Sequence, residues 1–158
     1  MAERGKRQKP TEAMKQVAAH LHSDRMRAEV RREVERRRLT SCMNNTRWHA
    51  LAHAVRSELP FAPAYQHKAV DQPLPEPEKF EPPVSYLGDW GYEGLYPFFD
   101  IEWLLVSPFL STHRGMLIPP SITDCRAAFI AILMRERIPF VEEGNEIRIY
   151  GYIDPAAQ

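Results

Sequence analysis

The sequence predicts an α+β fold, in which a small, mostly antiparallel sheet packs on two helices and follows a basic N-terminal helical arm. Three patterns support this prediction: an amphipathic helical segment after residue 46, an apolar helical segment after residue 121, and a β-hairpin near the C-terminus. The chain has 158 residues, of which 44% are hydrophobic and 27% charged. This length and composition are typical of one folded domain.

Charge divides the chain near Met43, although its formal net charge is zero. Residues 1–42 carry 12 Lys and Arg against 6 Asp and Glu, whereas residues 43–158 carry 9 against 15. We therefore predict a basic, partly disordered helical arm over 1–42, a single α+β domain over 43–154 and a tail over 155–158. We expect the domain to fold without the arm, which is either solvated or docked on the acidic domain.

The sequence favours a cytoplasmic protein without a membrane partner. Cys42 and Cys125 lack CxxC or metal-ligand spacing, so a disulfide scaffold is not expected. No apolar segment follows the basic N-terminus as in a secretory signal, and the longest apolar run, residues 127–134, is too short to cross a membrane. No cofactor motif is present, so no cofactor is predicted.

Helical periodicity in the arm begins after Thr11, a suitable N-cap. Apolar residues from Met14 to Leu21 share one face, whereas those from Met26 to Val34 lie roughly half a turn around the axis. This offset indicates either a break near Ser23 or one long helix with different surroundings on its two sides.

The domain's predicted elements follow in order. A helix covers residues 47–59, because Asn45 or Thr46 can cap it and Pro60 ends it. Strands are predicted over 65–70 and 101–106, with a further short strand over 115–118. Alternation in the strand over 101–106 places Ile101, Trp103 and Leu105 on one face, and Glu102, Leu104 and Val106 on the other. Ser121 and Asp124 resemble a capping box, which predicts that a core helix starts there and runs to about Arg137.

Gly144 and Asn145 predict a two-residue hairpin turn between strands over 138–143 and 146–153. This turn pairs Phe140 with Ile149, and Glu142 with Ile147. Ile138 and these apolar residues then face the core, and Arg148, Tyr150 and Tyr152 face the other way.

Three motifs are similar to those of a family of small bacterial proteins of unknown function: MNNTRW at 43–48, IEWL at 101–104, and IPF followed by EIRIYGYI within 138–153. The resemblance extends from Met43 to the C-terminal part of the chain. It implies that Met43 begins the domain, and that residues 1–42 are either an addition to it or sequence read upstream of an alternative start. It implies no activity, cofactor or catalytic residue.

The predicted function is a non-catalytic interaction module with an unknown protein partner. Arginine and tyrosine on one strand face are typical of binding hot spots, unless another layer covers them. The predicted partner surface combines that face with the aromatic loop over 86–99 and comprises Arg148, Tyr150, Tyr152, Trp90 and Tyr92. By analogy alone, small acidic bacterial domains of this kind include immunity-type inhibitors of toxins.

An alternative is a nucleic-acid-associated protein that binds through the arm. The arginines that would neutralise phosphates are Arg31, Arg32, Arg36, Arg37 and Arg38. Interspersed glutamates weaken this alternative, because they allow pairs such as Glu33 with Arg37, and the arm has no aromatic residue that could stack on a base.

A small hydrolase is the third alternative. Asp100 and Glu102 alternate on a predicted strand, which places two carboxylates on one face. Cys125 with His113 or His49 has the composition of a thiol and its base. A cysteine on an apolar helical face more often packs in a core, so a protein that is not an enzyme is the favoured prediction.

His49 and His53 are the only weak candidates for metal binding. They lie four residues apart on a helix, a spacing that can hold zinc, but a third ligand is missing. No metal site is therefore predicted.

Overall fold

The first element is one uninterrupted helix, α1, Glu12–Arg37. It belongs to a computed structural model that describes residues 9–157, so most of the disorder predicted for the start of the arm lies outside the described residues. Thr11 is the N-cap, as predicted, and its hydroxyl accepts a hydrogen bond from Met14 N at 3.2 Å. The helix ends at Arg38, whose φ of 54° is left-handed. Of the two arrangements considered for the arm, the long helix is the one observed.

The other elements follow α1 along the chain. They are β1 (Thr40–Ser41), α2 (Asn45–Glu58), β2 (Tyr65–Ala69), α3 (Tyr92–Leu95), a 3-10 turn (Phe98–Asp100), β3 (Ile101–Val106), β4 (Phe109–Thr112), β5 (Ser121–Asp124), α4 (Arg126–Arg135), β6 (Phe140–Glu143), β7 (Glu146–Tyr150), β8 (Tyr152–Ile153) and a final 3-10 turn (Pro155–Ala157).

The strands form one four-stranded sheet in the order β2-β3-β7-β6 and two separate strand pairs, β1-β8 and β4-β5. All pairings between these strands are antiparallel. The structure therefore confirms the α+β class with small antiparallel sheets.

The register of the C-terminal hairpin is the predicted one. Phe140 pairs with Ile149, and Glu142 pairs with Ile147. Gly144, the first turn residue, has a φ of 62°, a conformation that favours glycine. Because the turn fixes the register, it also fixes which side chains face the core.

The core lies between one face of the sheet and the two longer helices of the domain. Leu104 of β3 and Ile149 of β7 are fully buried on that face. Leu51 of α2 and Phe129 of α4 are fully buried in the same apolar cluster. Both helices predicted to cover the sheet therefore do so.

The region before α4 differs from the prediction. Residues 115–118 form a turn, and residues 121–124 form β5, which pairs with β4. The helix consequently begins at Arg126, with Cys125 as its N-cap residue. Asp124 still contributes to the helix start, because its Oδ1 accepts a hydrogen bond from Arg126 N at 2.7 Å. Pairing of this segment with β4 has prevailed over the local capping pattern.

The second half of the arm packs on the domain. Val30 of α1 is 2% exposed. Residues 40–41 form β1, which pairs with β8, and Cys42 N donates a hydrogen bond to Gly151 O at 2.8 Å. Val30, β1 and Cys42 all precede Met43, so the predicted boundary at Met43 separates the domain from residues that pack on it. The arm is docked rather than free.

No helix among residues 9–157 combines the length and the apolar character that crossing a membrane requires.

Candidate functional site: the outer face of the sheet

The face of the four-stranded sheet that points away from the core is built around β3 and β7. Trp103 pairs with Tyr150, and Leu105 pairs with Arg148. All four side chains are half-buried, whereas their neighbours Leu104 and Ile149 are fully buried. Trp103, Leu105, Arg148 and Tyr150, with Tyr152 of β8, are called the outer face below.

Arg148 is held in place on this face by an aromatic ring and a carboxylate. Its guanidinium carbon lies 4.2 Å from the centroid of the Trp103 ring. Its Nε and Nη2 donate hydrogen bonds to the two carboxylate oxygens of Glu143 at 2.5 and 2.9 Å. The Arg148 hydrogen bonds hold the pKa of Glu143 below its usual range. These contacts hold the Arg148 side chain in one orientation on the outer face.

Tyr152 is also fixed by a hydrogen bond. Its hydroxyl donates to Phe99 O at 2.7 Å. Burial, and secondarily the charge of Asp100, raises the pKa of Tyr152, so the hydroxyl stays protonated at neutral pH.

A β-bulge at Glu102 interrupts the alternation of side chains between the two faces of the sheet at the start of β3. Lys68 of β2 pairs with Trp103, but the next residue, Ala69, pairs with Ile101, so Glu102 is the extra residue. Ile101 consequently faces the core, and the Glu102 side chain points to the side of Trp103 and Lys68. The prediction that Glu102 shares a face with Leu104 is wrong for this reason.

Glu102 joins the arm to the sheet. It is 7% exposed and forms ion pairs with Arg37 of α1 and with Lys68 Nζ, the latter at 3.3 Å. The contact of Oε1 with Arg37 lacks the alignment of a hydrogen bond. Two cations thus share one buried carboxylate, which balances the cost of removing that carboxylate from water.

A cavity of about 460 Å³ opens beside the outer face, where the end of the arm and the C-terminal segment approach the sheet. Its walls are mainly aromatic and aliphatic, and Arg37 and Glu102 are the paired charges in its lining. The lining includes Leu39, Cys42, Trp103, Pro139, Phe140, Val141, Tyr150, Tyr152, Ile153, Asp154 and Ala157. Such a cavity, apolar with a few polar groups, is suited to holding one side chain or a small ligand.

A second polar cluster lies near the beginning of β3. Asp71 and Asp100 are close enough for their carboxyl groups to interact, and burial followed by the hydrogen bond and charge of Asp71 raises the pKa of Asp100 to about 7. His67 lies nearby, and burial, then the charge of Lys68, lowers its pKa. His67 Nε2 and Asp71 Oδ1 are buried without a hydrogen-bond partner among the described residues.

The predicted partner surface is only partly assembled. Arg148, Tyr150 and Tyr152 lie together on the outer face, and Tyr150 and Tyr152 line the cavity. Trp90 is 2% exposed; its Nε1 donates to Pro63 O at 2.7 Å, and its ring packs on Phe129 in the core. Trp90 is therefore unavailable to a partner, and including it in the surface was wrong.

Tyr92 is exposed but is not part of the outer face. It is 62% exposed and stacks on Tyr96, with ring centroids 4.5 Å apart. It contributes no lining to the cavity beside the outer face. The glycine-spaced aromatics over 86–99 thus divide between the core and an exposed pair.

The hydrolase residues are not gathered in one site. Asp100 ends a 3-10 turn and faces Asp71, whereas Glu102 faces Arg37 and Lys68. Cys125 is buried, and burial raises the pKa of its thiol to about 11. His113 is exposed in the segment after β4. The shared strand face predicted for Asp100 and Glu102 is not present.

The two histidines of α2 have unlike surroundings. His49 lies edge-on against Phe98, with ring centroids 4.7 Å apart, and His53 is exposed. Over residues 9–157, no three or more His, Cys, Asp or Glu side chains are arranged to hold a metal ion.

Some of the arm arginines are already paired with carboxylates. Arg36 pairs with Glu33 of its own helix, and Arg37 pairs with Glu102 across to the sheet. Glu33 is therefore paired with Arg36 and not, as predicted, with Arg37. Arg38 occupies the left-handed end of the helix, and Arg31 and Arg32 are exposed. These pairs reduce the positive charge available to a phosphate backbone.

The sequence did not reveal several residues of the site. Trp103 was predicted to share a face with Ile101 and was not included in the partner surface, and neither Lys68 nor Arg37 was linked to Glu102. One signal was available: a lone glutamate in the otherwise apolar run from Ile101 to Val106 requires a cation or an irregularity in the strand. The structure contains both.

The molecule is a small α+β protein whose four-stranded antiparallel sheet presents an aromatic outer face at the end of a docked helix. The chain belongs to a family of unknown function (DUF6678), whose model matches residues 30–156. No curated protein and no solved structure matches it. The family match starts at Val30, the buried residue of α1, and not at Met43, where the resemblance had placed the start of the domain.

Proposed function

We propose that the protein is a non-catalytic interaction module of the cytoplasm that binds a protein partner through the outer face. The observation that supports this proposal is the arrangement of Trp103, Arg148 and Tyr150 on two paired strands beside a cavity of about 460 Å³. Tryptophan, tyrosine and arginine are the residue types that contribute most to protein–protein binding energy. Because Arg148 is already held by stacking on Trp103 and by its hydrogen bonds to Glu143, these two side chains lose little conformational entropy on binding.

The chemistry of the cavity indicates what the partner presents. The charges of Arg37 and Glu102 compensate each other, so an uncharged apolar or aromatic side chain is the best-matched occupant. The half-exposed carboxylate of Asp154 also lines the cavity, and residues 43–158 as a whole carry 15 acidic against 9 basic residues. We therefore propose a partner with a positively charged surface around an apolar anchor, the charge relation expected of an inhibitor of a basic toxin.

Affinity capture from native lysate tests the proposal. We expect the full chain to recover a stoichiometric partner, and we expect Tyr150→Ala to lose it because this residue lines the cavity. Tyr92→Ala is the matched control, since Tyr92 is an exposed tyrosine outside the outer face. Circular dichroism of each variant establishes that folding is retained.

Two outcomes would contradict the proposal. One is that the wild-type chain captures no stoichiometric partner. The other is that Tyr150→Ala and Tyr92→Ala have equal effects on capture, since binding would then not depend on the outer face.

A further inference from the structure

The outward edge of β5 has unused backbone hydrogen-bonding groups. Directly after β5, Cys125 N donates a hydrogen bond to Pro108 O, next to β4. The backbone N–H and C=O groups of the odd-numbered residues of β5 therefore point towards β4. The N–H and C=O groups of Ile122 and Asp124 therefore point away from β4. No backbone group between residues 9 and 157 pairs with them, and residues 122–124 are exposed.

An exposed apolar tip adjoins this edge. It consists of residues 116–118, in the connection between β4 and β5. Met116 is 95% exposed and Leu117 is 97% exposed. Such side chains, nearly without protein contacts next to an open strand edge, are typical of a surface that another chain covers.

Both edges of the four-stranded sheet, by contrast, are protected. On β2, His67 exchanges backbone hydrogen bonds with Glu76 at 2.8 Å in both directions, which occupies part of that edge. β6 follows Pro139 and carries Glu142 and Glu143, charges that oppose pairing with another strand. β5 contains neither a lysine nor a proline, and Ile122 and Thr123 are β-branched.

We propose that two copies of this chain form a symmetric dimer by antiparallel pairing of β5 with β5. In this arrangement Ile122 lies on the two-fold axis and exchanges both backbone hydrogen bonds with Ile122 of the second copy. Asp124 N–H then donates to Pro120 O of the second copy, a position at which proline's missing N–H does not prevent the bond. The two β4-β5 pairs become one four-stranded sheet.

Complementary features at the two ends of β5 favour a second copy as the occupant. Arg114 lies at the start of the strand, where its Nε donates to Pro119 O at 3.1 Å, and Asp124 lies at the other end. Antiparallel pairing brings the positive end of each copy to the negative end of the other. A two-fold axis satisfies both contacts at once and uses the β5 edge of both copies, so that this pairing closes at two copies.

The dimer also gives the apolar tip a place to pack. Directly after Asp124, α4 exposes Ala127, Ala131 and Met134, which share one helical face at a spacing of four and then three residues. In the antiparallel arrangement the tip of one copy extends past Asp124 of the other, towards this face. The proposal does not depend on the outer face, because β5 belongs to a different strand pair.

Sedimentation velocity over a dilution series tests the dimer. We expect the full chain to be dimeric in the micromolar range and Ile122→Lys to be monomeric, because two like charges would meet on the axis. Val141→Lys is the matched control: Val141 and Ile122 are each 48% exposed and β-branched on a strand edge, but Val141 lies on β6. A wild-type chain that is monomeric throughout, or a dimer that both variants disrupt equally, would overturn the proposal.

Cysteine cross-linking tests the register. In a Cys42→Ser background treated with diamide, Ile122→Cys should form a disulfide-linked dimer, since facing residues of a hydrogen-bonded pair are about 5.5 Å apart at Cα, within the range of a disulfide. Val141→Cys should remain monomeric on a non-reducing gel. Equal cross-linking of both variants, or none at position 122, would exclude this pairing even if the chain is dimeric.

Discussion

At the scale of single residues, Glu102 is the buried side chain that joins the end of the arm to the sheet. Its placement results from the bulge, which turns one residue of an apolar strand towards two cations. A buried carboxylate is tolerated only when such partners are present, so the bulge, Arg37 and Lys68 depend on one another.

Glu102→Gln should therefore lower the free energy of unfolding by about 2 kcal/mol, because two partly buried cations lose their shared carboxylate. Glu142→Gln is the control: it removes a carboxylate of similar type whose side chain is 51% exposed in its pair with Arg126, and surface pairs contribute about 1 kcal/mol or less. Urea denaturation of the two variants measures the difference. Equal effects would show that Glu102 does not link the arm to the sheet.

The Asp71 and Asp100 pair makes stability depend on pH in an unusual direction. Burial and the neighbouring Asp71 raise the pKa of Asp100 from 3.8 to about 7, so the folded state holds a proton that the unfolded chain releases. The unfolding free energy therefore falls as pH rises from about 4 to about 7, and this loss is complete above that range.

Asp100→Asn should remove this dependence. The unfolding free energy of the variant, relative to that of wild type, should be higher at about pH 8 than at about pH 4 by on the order of 2 kcal/mol. Asp24→Asn, at a side chain that is 60% exposed on α1, should show no such gain. Urea denaturation at the two pH values provides the measurement. If the stability difference between Asp100→Asn and wild type is the same at both pH values, the folded state does not hold the additional proton described for Asp100.

At the scale of elements, the turn between β7 and β8 brings two backbones into contact. A Cβ at Gly151 would lie 1.9 Å from Ile101 O, and Gly151 N donates to Glu102 O at 2.8 Å. Glycine is required here because the backbones of β3 and the β7-β8 connection approach so closely.

Gly151→Ala should destabilise the fold by about 2–3 kcal/mol, because the clash is with backbone and only strand movement can relieve it. Gly91→Ala is the control, since its Cβ would meet only the Asp89 side chain, at 3.1 Å. Thermal denaturation followed by circular dichroism compares the two. Similar melting temperatures for both variants would contradict the packing described for this connection.

The hairpin and the β4-β5 pair show what sequence can and cannot predict at this scale. The hairpin was predicted with its register because Gly144 and the alternation of apolar residues specify it locally. β4 and β5 are joined by a longer connection, and their short polar strands carry little periodicity, so the capping pattern at Ser121 was misleading.

The residues of the candidate site that lie on the hairpin could be predicted from the sequence, and those on β3 could not. Arg148, Tyr150 and Tyr152 followed from the hairpin register alone. Trp103 and Glu102 did not, because their orientation depends on a bulge that arises only when β2 pairs with β3.

At the scale of the whole molecule, the arm has two parts with different surroundings. From residue 9 to residue 22 every side chain is exposed, whereas Ser23 and Met26 are half-buried and Val30 is buried. The family match over residues 30–156 includes the packed end of the arm and excludes its exposed beginning.

Deleting residues 1–22 should change the unfolding free energy by less than about 1 kcal/mol, because the described part of this segment buries nothing. Deleting residues 1–42 should cost about 3 kcal/mol or more, since it removes Val30, Arg37 and β1 together. Urea denaturation compares the two truncated chains with the full chain. Equal stability of both would support an autonomous domain from Met43, as the charge pattern suggested.

The pairing of β1 with β8 has a consequence for chain connectivity. Thr40 lies opposite Ile153, so two positions more than a hundred residues apart in sequence are neighbours in space. A short bridging peptide could therefore join them in a chain that lacks residues 1–39, at the stability cost expected for the loss of α1, and new ends could be opened at the exposed turn around Gly115. A circularly permuted protein of this design should keep the same sheet order, since no strand would need to change its neighbours.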